Sequence, residues 1–134
     1  MAWAEFLGAL AQQYPFRLVG EVPTREGIFD RAQLERVLIN LLKNAHEAGG
    51  AGEEVELALA ERGNDLRIEV RDRGSGMSET VLASALLPFY STKRSGTGLG
   101  LALAREIVEA HGGRVALANR DGGGLSVTLS LPQR

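Results

Sequence analysis

Asn40 and Asn44 stand four residues apart in a segment whose apolar residues repeat at helical spacing. At about 100° per residue the two amides fall near one another on a flank of that helix, with Glu47 on the same flank. Two amide oxygens stacked in this way can hold a hard, hydrated cation, which takes oxygen ligands and keeps waters of its own. Taken alone, the pair reads first as polar residues on a helix surface. A second group is Asp72-Arg73-Gly74-Ser75-Gly76, directly after a strand pattern that ends at Val70. An Asp at a strand end, followed by two glycines, can present its carboxylate into a cleft while the backbone passes close to a ligand. There it can accept a hydrogen bond from an exocyclic amine such as that of adenine. A glycine turn opened by Asp has the same sequence. The third group is a polar loop with Lys93 and Arg94 that runs into Gly96-Thr97-Gly98-Leu99-Gly100 and then a helix. Unobstructed backbone N–H groups at a helix N-terminus suit phosphate oxygens. Glycines at every second position, immediately opening a good helix, fit that chemistry better than a linker.

Two other phosphate motifs are excluded. Gly-x-Gly-x-Gly is not the dinucleotide fingerprint, and a polar loop precedes it where a strand is required. No Gly-x4-Gly-Lys-Ser/Thr occurs in the chain, so it is not a P-loop protein.

These groups need elements to hold them. Trp3, Phe6, Leu7 and Leu10 predict a helix over 2–13, stopped by Pro15, and 16–22 can form a strand. Asp30 is a good N-cap for a helix over 31–48, whose stripe is Leu34, Val37, Leu38, Leu41, Leu42 and Ala45. Val55, Leu57 and Leu59 alternate and pair with Leu66, Ile68 and Val70 across a turn at 62–65. A second hairpin joins Val115 and Leu117 to Leu125, Val127, Leu129 and Leu131. The intervening residues are polar or small, so one sheet face meets a core and the other meets water or a neighbour. Helices near 78–86 and 99–110 complete the covering layer. The expected architecture is an α/β (α+β) two-layer sandwich, with about three main helices on one face of a mixed, mostly antiparallel sheet.

The chain of 134 residues fits one domain over 1–134, with no internal repeat, low-complexity tract or linker. An apolar share of 44% and a charged share of 24% place it among globular chains. A net charge of -2, with no basic stripe and interleaved aromatics, argues against a nucleic-acid partner. The absence of cysteine excludes disulfides, thiolate metal sites and a cysteine nucleophile, and fits a reducing compartment. No apolar run approaches the roughly 18 residues of a membrane helix. The start has no basic region and carries Glu5, unlike a signal peptide. The abrupt opening helix suggests a piece of a larger protein.

Together and in this order, the three groups resemble the GHKL ATPase/kinase superfamily, and within it the catalytic domain of bacterial sensor histidine kinases. Asn40-Leu-Leu-Lys-Asn44-Ala resembles the N box, Asp72-Arg-Gly-Ser-Gly76 the G1 box, Pro88-Phe89 the F box and Gly96-Thr-Gly-Leu-Gly100-Leu the G2 box. The likeness covers about 28–132. The resemblance implies a Bergerat-type fold that binds ATP with Mg²⁺. Asn44 would ligate the metal with Asn40 in support, and Asp72 would take the adenine amine with Gly74 and Gly76 allowing close approach. A lid over about 87–97 would bring Lys93 or Arg94 to a terminal phosphate. Gly96, Thr97, Gly98, Leu99 and Gly100 would cradle the phosphate chain.

In the gyrase, heat-shock chaperone and mismatch-repair branch of the superfamily, a Glu four residues before the metal-binding Asn activates water. Here that position is Asn40, which cannot be a carboxylate base. The resemblance therefore implies transfer of the ATP γ-phosphoryl group to a histidine on a separate helical dimerisation domain, with a response regulator downstream. It also implies a monomeric domain without membrane contact, in a cytoplasmic setting even where the whole protein is anchored. An anti-sigma-factor-type serine kinase shares the boxes, and a nucleotide-gated binding module without catalysis is a further alternative. The short lid resembles nitrogen-regulation-type kinases. One departure is Leu125 after Gly124, where many members carry a Thr that reaches adenine through water. His46 and His111 are expected to be structural, not phosphoacceptors.

Overall fold

Alternating apolar and polar residues commit the second half of the chain to strands, and the helical stripes supply the layer that covers them. The computed structural model describes residues 3–20, 30–47, 55–74, 76–84 and 100–132. The elements run α1 (Trp3–Gln13), β1 (Arg17–Val19), α2 (Arg31–Glu47), β2 (Glu56–Arg62), β3 (Asp65–Arg71), α3 (Glu79–Ser84), α4 (Gly100–Ala110), β4 (Arg114–Asn119) and β5 (Leu125–Pro132). The five strands form one sheet in the order β1-β2-β3-β5-β4. Only β1–β2 is parallel, so the sheet is mixed and mostly antiparallel, as expected.

Both hairpins take the register that their alternation dictates. Leu57 faces Val70 and Leu59 faces Ile68, while Val115 faces Leu129 and Leu117 faces Val127. Val55, Leu57, Leu59, Leu66, Ile68, Val70, Leu129 and Leu131 are buried on the inner face. Against them lie Trp3, Phe6, Leu7 and Leu10 of α1, the six stripe residues of α2, and Ala104 and Val108 of α4. The two-layer sandwich stands, with α1, α2 and α4 as the main helices and α3 as a short fourth. β1 is shorter than the expected 16–22, and residues 21–22 lie outside the described residues.

The helix ends are specified locally. Asp30 caps α2, its Oδ1 accepting from the Gln33 amide at 3.1 Å. Ser78 caps α3 through Oγ and the Val81 amide at 3.2 Å. Helix α4 ends where Gly112 takes φ +79°. The Gly113 and Gly112 amides return to the Val108 and Glu109 carbonyls at 2.9 Å each, a Schellman ending that leaves only glycine comfortable at 112. Among the described residues no helix is long and apolar enough to cross a membrane.

Both histidines serve this scaffold. His46 on α2 donates through Nε2 to the Pro15 carbonyl at 2.7 Å and lies against Tyr14. His111, at the end of α4, donates through Nδ1 to the Ile107 carbonyl at 2.8 Å. Its Nε2 accepts from the Asp30 amide at 3.2 Å. The ring ties the end of α4 to the start of α2.

Candidate functional site

Asp72 leaves the end of β3 and turns inward, where it is one of two buried polar residues among those described. A buried carboxylate is costly unless hydrogen-bonded. Its Oδ1 accepts from the Gly74 amide at 2.9 Å and from the Leu125 amide at 3.1 Å. The Asp72 amide donates back to the Leu125 carbonyl at 3.0 Å. The Arg120 guanidinium donates to the Asp72 carbonyl at 2.9 Å. Oδ2 has no protein partner among these bonds. The residue is thus fixed along its backbone and one carboxylate oxygen, and among the described residues none of these bonds takes up the other oxygen.

The segment after Asp72 is clasped by the turn between β4 and β5. The Asn119 side chain accepts from the Met77 amide at 2.8 Å and donates to the Met77 carbonyl at 2.5 Å, pairing with that backbone as a strand would. Arg73 donates to the Asp121 and Gly123 carbonyls at 2.9 and 3.2 Å. Gly76 takes φ +72°, and a Cβ there would lie 2.7 Å from Asn119 Oδ1, so close approach requires glycine. Gly124, at φ +105°, packs so tightly on Asp72 that a Cβ would overlap the Asp72 carbonyl oxygen.

Asn40 and Asn44 lie one turn apart on α2, both half-buried beside the core residues Leu41 and Ala45. Asn44 and Glu47 have partners within the protein. Among the described residues no group of three His, Asp or Glu side chains could hold a metal. Asn40 and Asn44 offer amide oxygens, donors that a hard cation accepts. Lys93, Arg94, Gly96, Thr97, Gly98 and Leu99, with the rest of the expected lid and Pro88-Phe89, lie outside the described residues. Gly100 opens α4.

On the outer face of the sheet, Glu56 pairs with Arg17, with Arg71 at 3.4 Å and with Arg120 at 3.7 Å. Glu69 pairs with Arg71 at 2.8 Å and accepts from Ser126. The Arg17 hydrogen bond, with help from Arg71 and Arg120, holds the Glu56 carboxyl below its usual value. The Arg71 hydrogen bond does the same for Glu69, with Ser126 adding, and Glu69 in turn raises Arg71.

Sequence reasoning did not find Asn119, Arg120 or the Leu125 amide. All three act on backbone or carboxylate atoms some 42–53 residues away. The one signal was Gly122-Gly123-Gly124, more glycine than a hairpin turn needs.

The pattern of the family described as histidine kinase-, DNA gyrase B-, and HSP90-like ATPase matches residues 29–134. The chain belongs to this family. It is 44% identical over 107 residues to the C4-dicarboxylate transport sensor protein DctS of Rhodobacter capsulatus, a match over 77% of this chain and 16% of that protein. It is 40% identical over 103 residues to the sensor histidine kinase ZraS of Escherichia coli K12, over 77% of this chain and 22% of that protein. The chain thus spans less than a quarter of the length of either relative. Among solved structures, the nucleotide-free catalytic domain of histidine kinase ThkA superposes with a TM-score of 0.88 at 26% identity, covering 99% of this chain and 93% of that one. The domain corresponds to the ATP-binding catalytic region of sensor histidine kinases.

Proposed function

We propose that this chain, as a single domain over 1–134, binds ATP beside Asp72 and presents its γ-phosphoryl group to a histidine on a separate helical domain of the same protein. The observation that carries the reading is the Asp72 carboxylate. It is buried, and Oδ1 is held by two amides while Oδ2 is left to accept from an adenine amine. Gly74 and Gly76 let the base approach, and Asn119 keeps that backbone in place. Asn44, assisted by Asn40, would hold a Mg²⁺ ion, whose chemistry is to neutralise charge on the phosphates. Gly96, Thr97, Gly98, Leu99 and Gly100 would line the phosphate chain, with Lys93 and Arg94 reaching its end from the lid.

Phosphoryl transfer asks mainly for positioning and charge neutralisation. The acceptor imidazole nitrogen bonds to the γ-phosphorus as the bond to the bridging oxygen breaks, and ADP departs. Asn40 supplies no carboxylate to activate water, which supports transfer over hydrolysis. A response regulator would receive the phosphoryl group next, in the cytoplasm.

Calorimetric titration with ADP, with and without Mg²⁺, beside Asp72→Asn tests the site. One charge-assisted hydrogen bond is worth about 1.5–3 kcal/mol, about ten- to a hundredfold in affinity. Unchanged affinity in a folded Asp72→Asn protein overturns the adenine assignment. Labelled ATP supplied with a histidine-bearing helical domain then tests transfer. Labelling on a serine instead would move the assignment to an anti-sigma-factor-type kinase.

A further inference from the structure

Arg120 follows the last residue of β4, and nothing in its sequence context marks it. Its side chain is only 15% exposed. One guanidinium nitrogen, Nη1, donates to the Asp72 carbonyl at 2.9 Å, and the other, Nη2, lies 3.7 Å from Glu56 Oε1. Glu56 is 12% exposed and also holds Arg17 and Arg71, and Arg71 reaches on to Glu69. The guanidinium therefore joins the backbone of the buried aspartate to a charged lattice spread over β1, β2 and β3.

We propose that Arg120 is a positioning residue of the nucleotide site: it anchors the Asp72 peptide to the outer-face lattice and so sets where Oδ2 meets the base. The inference rests on Asp72 as the base-binding residue. Rotation of the Asp72 peptide would swing its side chain, and besides the Gly74 amide on Oδ1 three contacts from the last hairpin oppose that rotation. Two belong to Leu125, through its carbonyl and its amide. The third is Arg120, the only one of them made by a side chain and hence the only one that substitution can remove cleanly. A planar fork with donors pointing in two directions suits a carbonyl on one side and a carboxylate on the other, which a single ammonium cannot reproduce.

The test compares ADP with inosine diphosphate, which carries an oxo group where adenine has its amine, in wild type, Arg120→Met, Asp72→Asn and the double variant. Arg120→Met keeps the length and apolar stem of the side chain. ADP affinity is expected to fall about two- to tenfold, one ordinary hydrogen bond's worth, with inosine diphosphate affinity unchanged. In the Asp72→Asn background the Arg120→Met change should add nothing, because its effect passes through the carboxylate. Amide exchange at Leu125 and Gly74 should quicken in Arg120→Met while the core strands keep their protection. Equal weakening of both nucleotides, or an undiminished effect in the double variant, overturns the proposal. So does an unchanged ADP-to-inosine-diphosphate ratio where Asp72→Asn lowers it. Failure of wild type to bind ADP, or indifference to Asp72→Asn, overturns instead the reading of Asp72 itself. Should Arg120→Met not fold, Glu56→Gln provides the second variant. It leaves the carbonyl contact but frees the far end of the fork, and is expected to lower the same ratio by less. An unchanged ratio there then overturns the proposal.

Discussion

Replacing Gly124 with alanine should damage the site far more than the same change two residues earlier. Gly122 and Gly124 both have positive φ, +82° and +105°. Each alanine therefore carries a strain of about 1–3 kcal/mol. At Gly122 that is the whole effect, because the nearest atom to a new Cβ is the tip of Arg73 at an ordinary 3.6 Å. At Gly124 a Cβ would overlap the Asp72 carbonyl oxygen and sit 2.8 Å from its carbonyl carbon and 2.9 Å from Arg73 Cα. All three are main-chain atoms, so no side chain can swing aside, and the hairpin and the β3 end must separate. Separation breaks the bond from the Asp72 amide to Leu125 O and the one from the Leu125 amide to Asp72 Oδ1. The first is worth about 1 kcal/mol and the second, made to a charge, about 1.5–3. With the strain, Gly124→Ala should cost about 3.5–7 kcal/mol, a large part of a typical domain's stability. Urea unfolding measures both variants, and ADP titration of the folded fraction follows the site. Equal midpoints for Gly122→Ala and Gly124→Ala would refute the reasoning, since both would then carry strain alone.

Other perturbations address the rest of the scaffold. Glu56 and Glu69 have folded values below the ordinary 4.5. Their contribution is present above that value and is lost as pH falls through the folded values. The double variant Glu56→Gln, Glu69→Gln should therefore show a shallower loss of urea midpoint between about pH 6 and pH 3 than wild type. A slope as steep as the wild type's would mean that other carboxylates govern acid unfolding. His111→Ala removes a donor to Ile107 and an acceptor for the Asp30 amide, costing about 1–3 kcal/mol. A melting temperature within a degree of wild type would contradict the clasp between α4 and α2. Leu42→Ala empties a fully buried position on the helix that carries Asn40 and Asn44. It should cost about 2–5 kcal/mol by chemical denaturation.

The legible parts of the fold were those in which one residue's neighbours along the chain reveal its partner. The α2 stripe and the strand alternation fall in this class, because burial on one face imposes a period that a sequence displays. The pairing of β1 was not legible. A three-residue strand shows no period, and its parallel partner begins at Glu56, some 39 residues from Arg17. Within the proposed site, Asp72, Gly74 and Gly76 could be singled out because a carboxylate and glycines that would admit a ligand lie in one short run. Asn119 and Arg120 did not, because each acts on main-chain atoms of a distant segment, and main-chain atoms leave no mark of residue type.

Leu125 makes the same point from the opposite side. Judged as a departure from the threonine that the resemblance leads one to expect, it looks like a lost contact. Its side chain is in fact buried in the core, and the group that meets Asp72 is its amide. An amide survives nearly any substitution, so at this position the identity of the residue says little about support for the carboxylate. What the hairpin must conserve is the path of its backbone. That path depends on Gly124 lying flat against Asp72, on Asn119 pairing with Met77, and on Arg120 reaching the Asp72 carbonyl. The end of the site proposed to bind the base is therefore built by the last hairpin as much as by the strand that carries the aspartate.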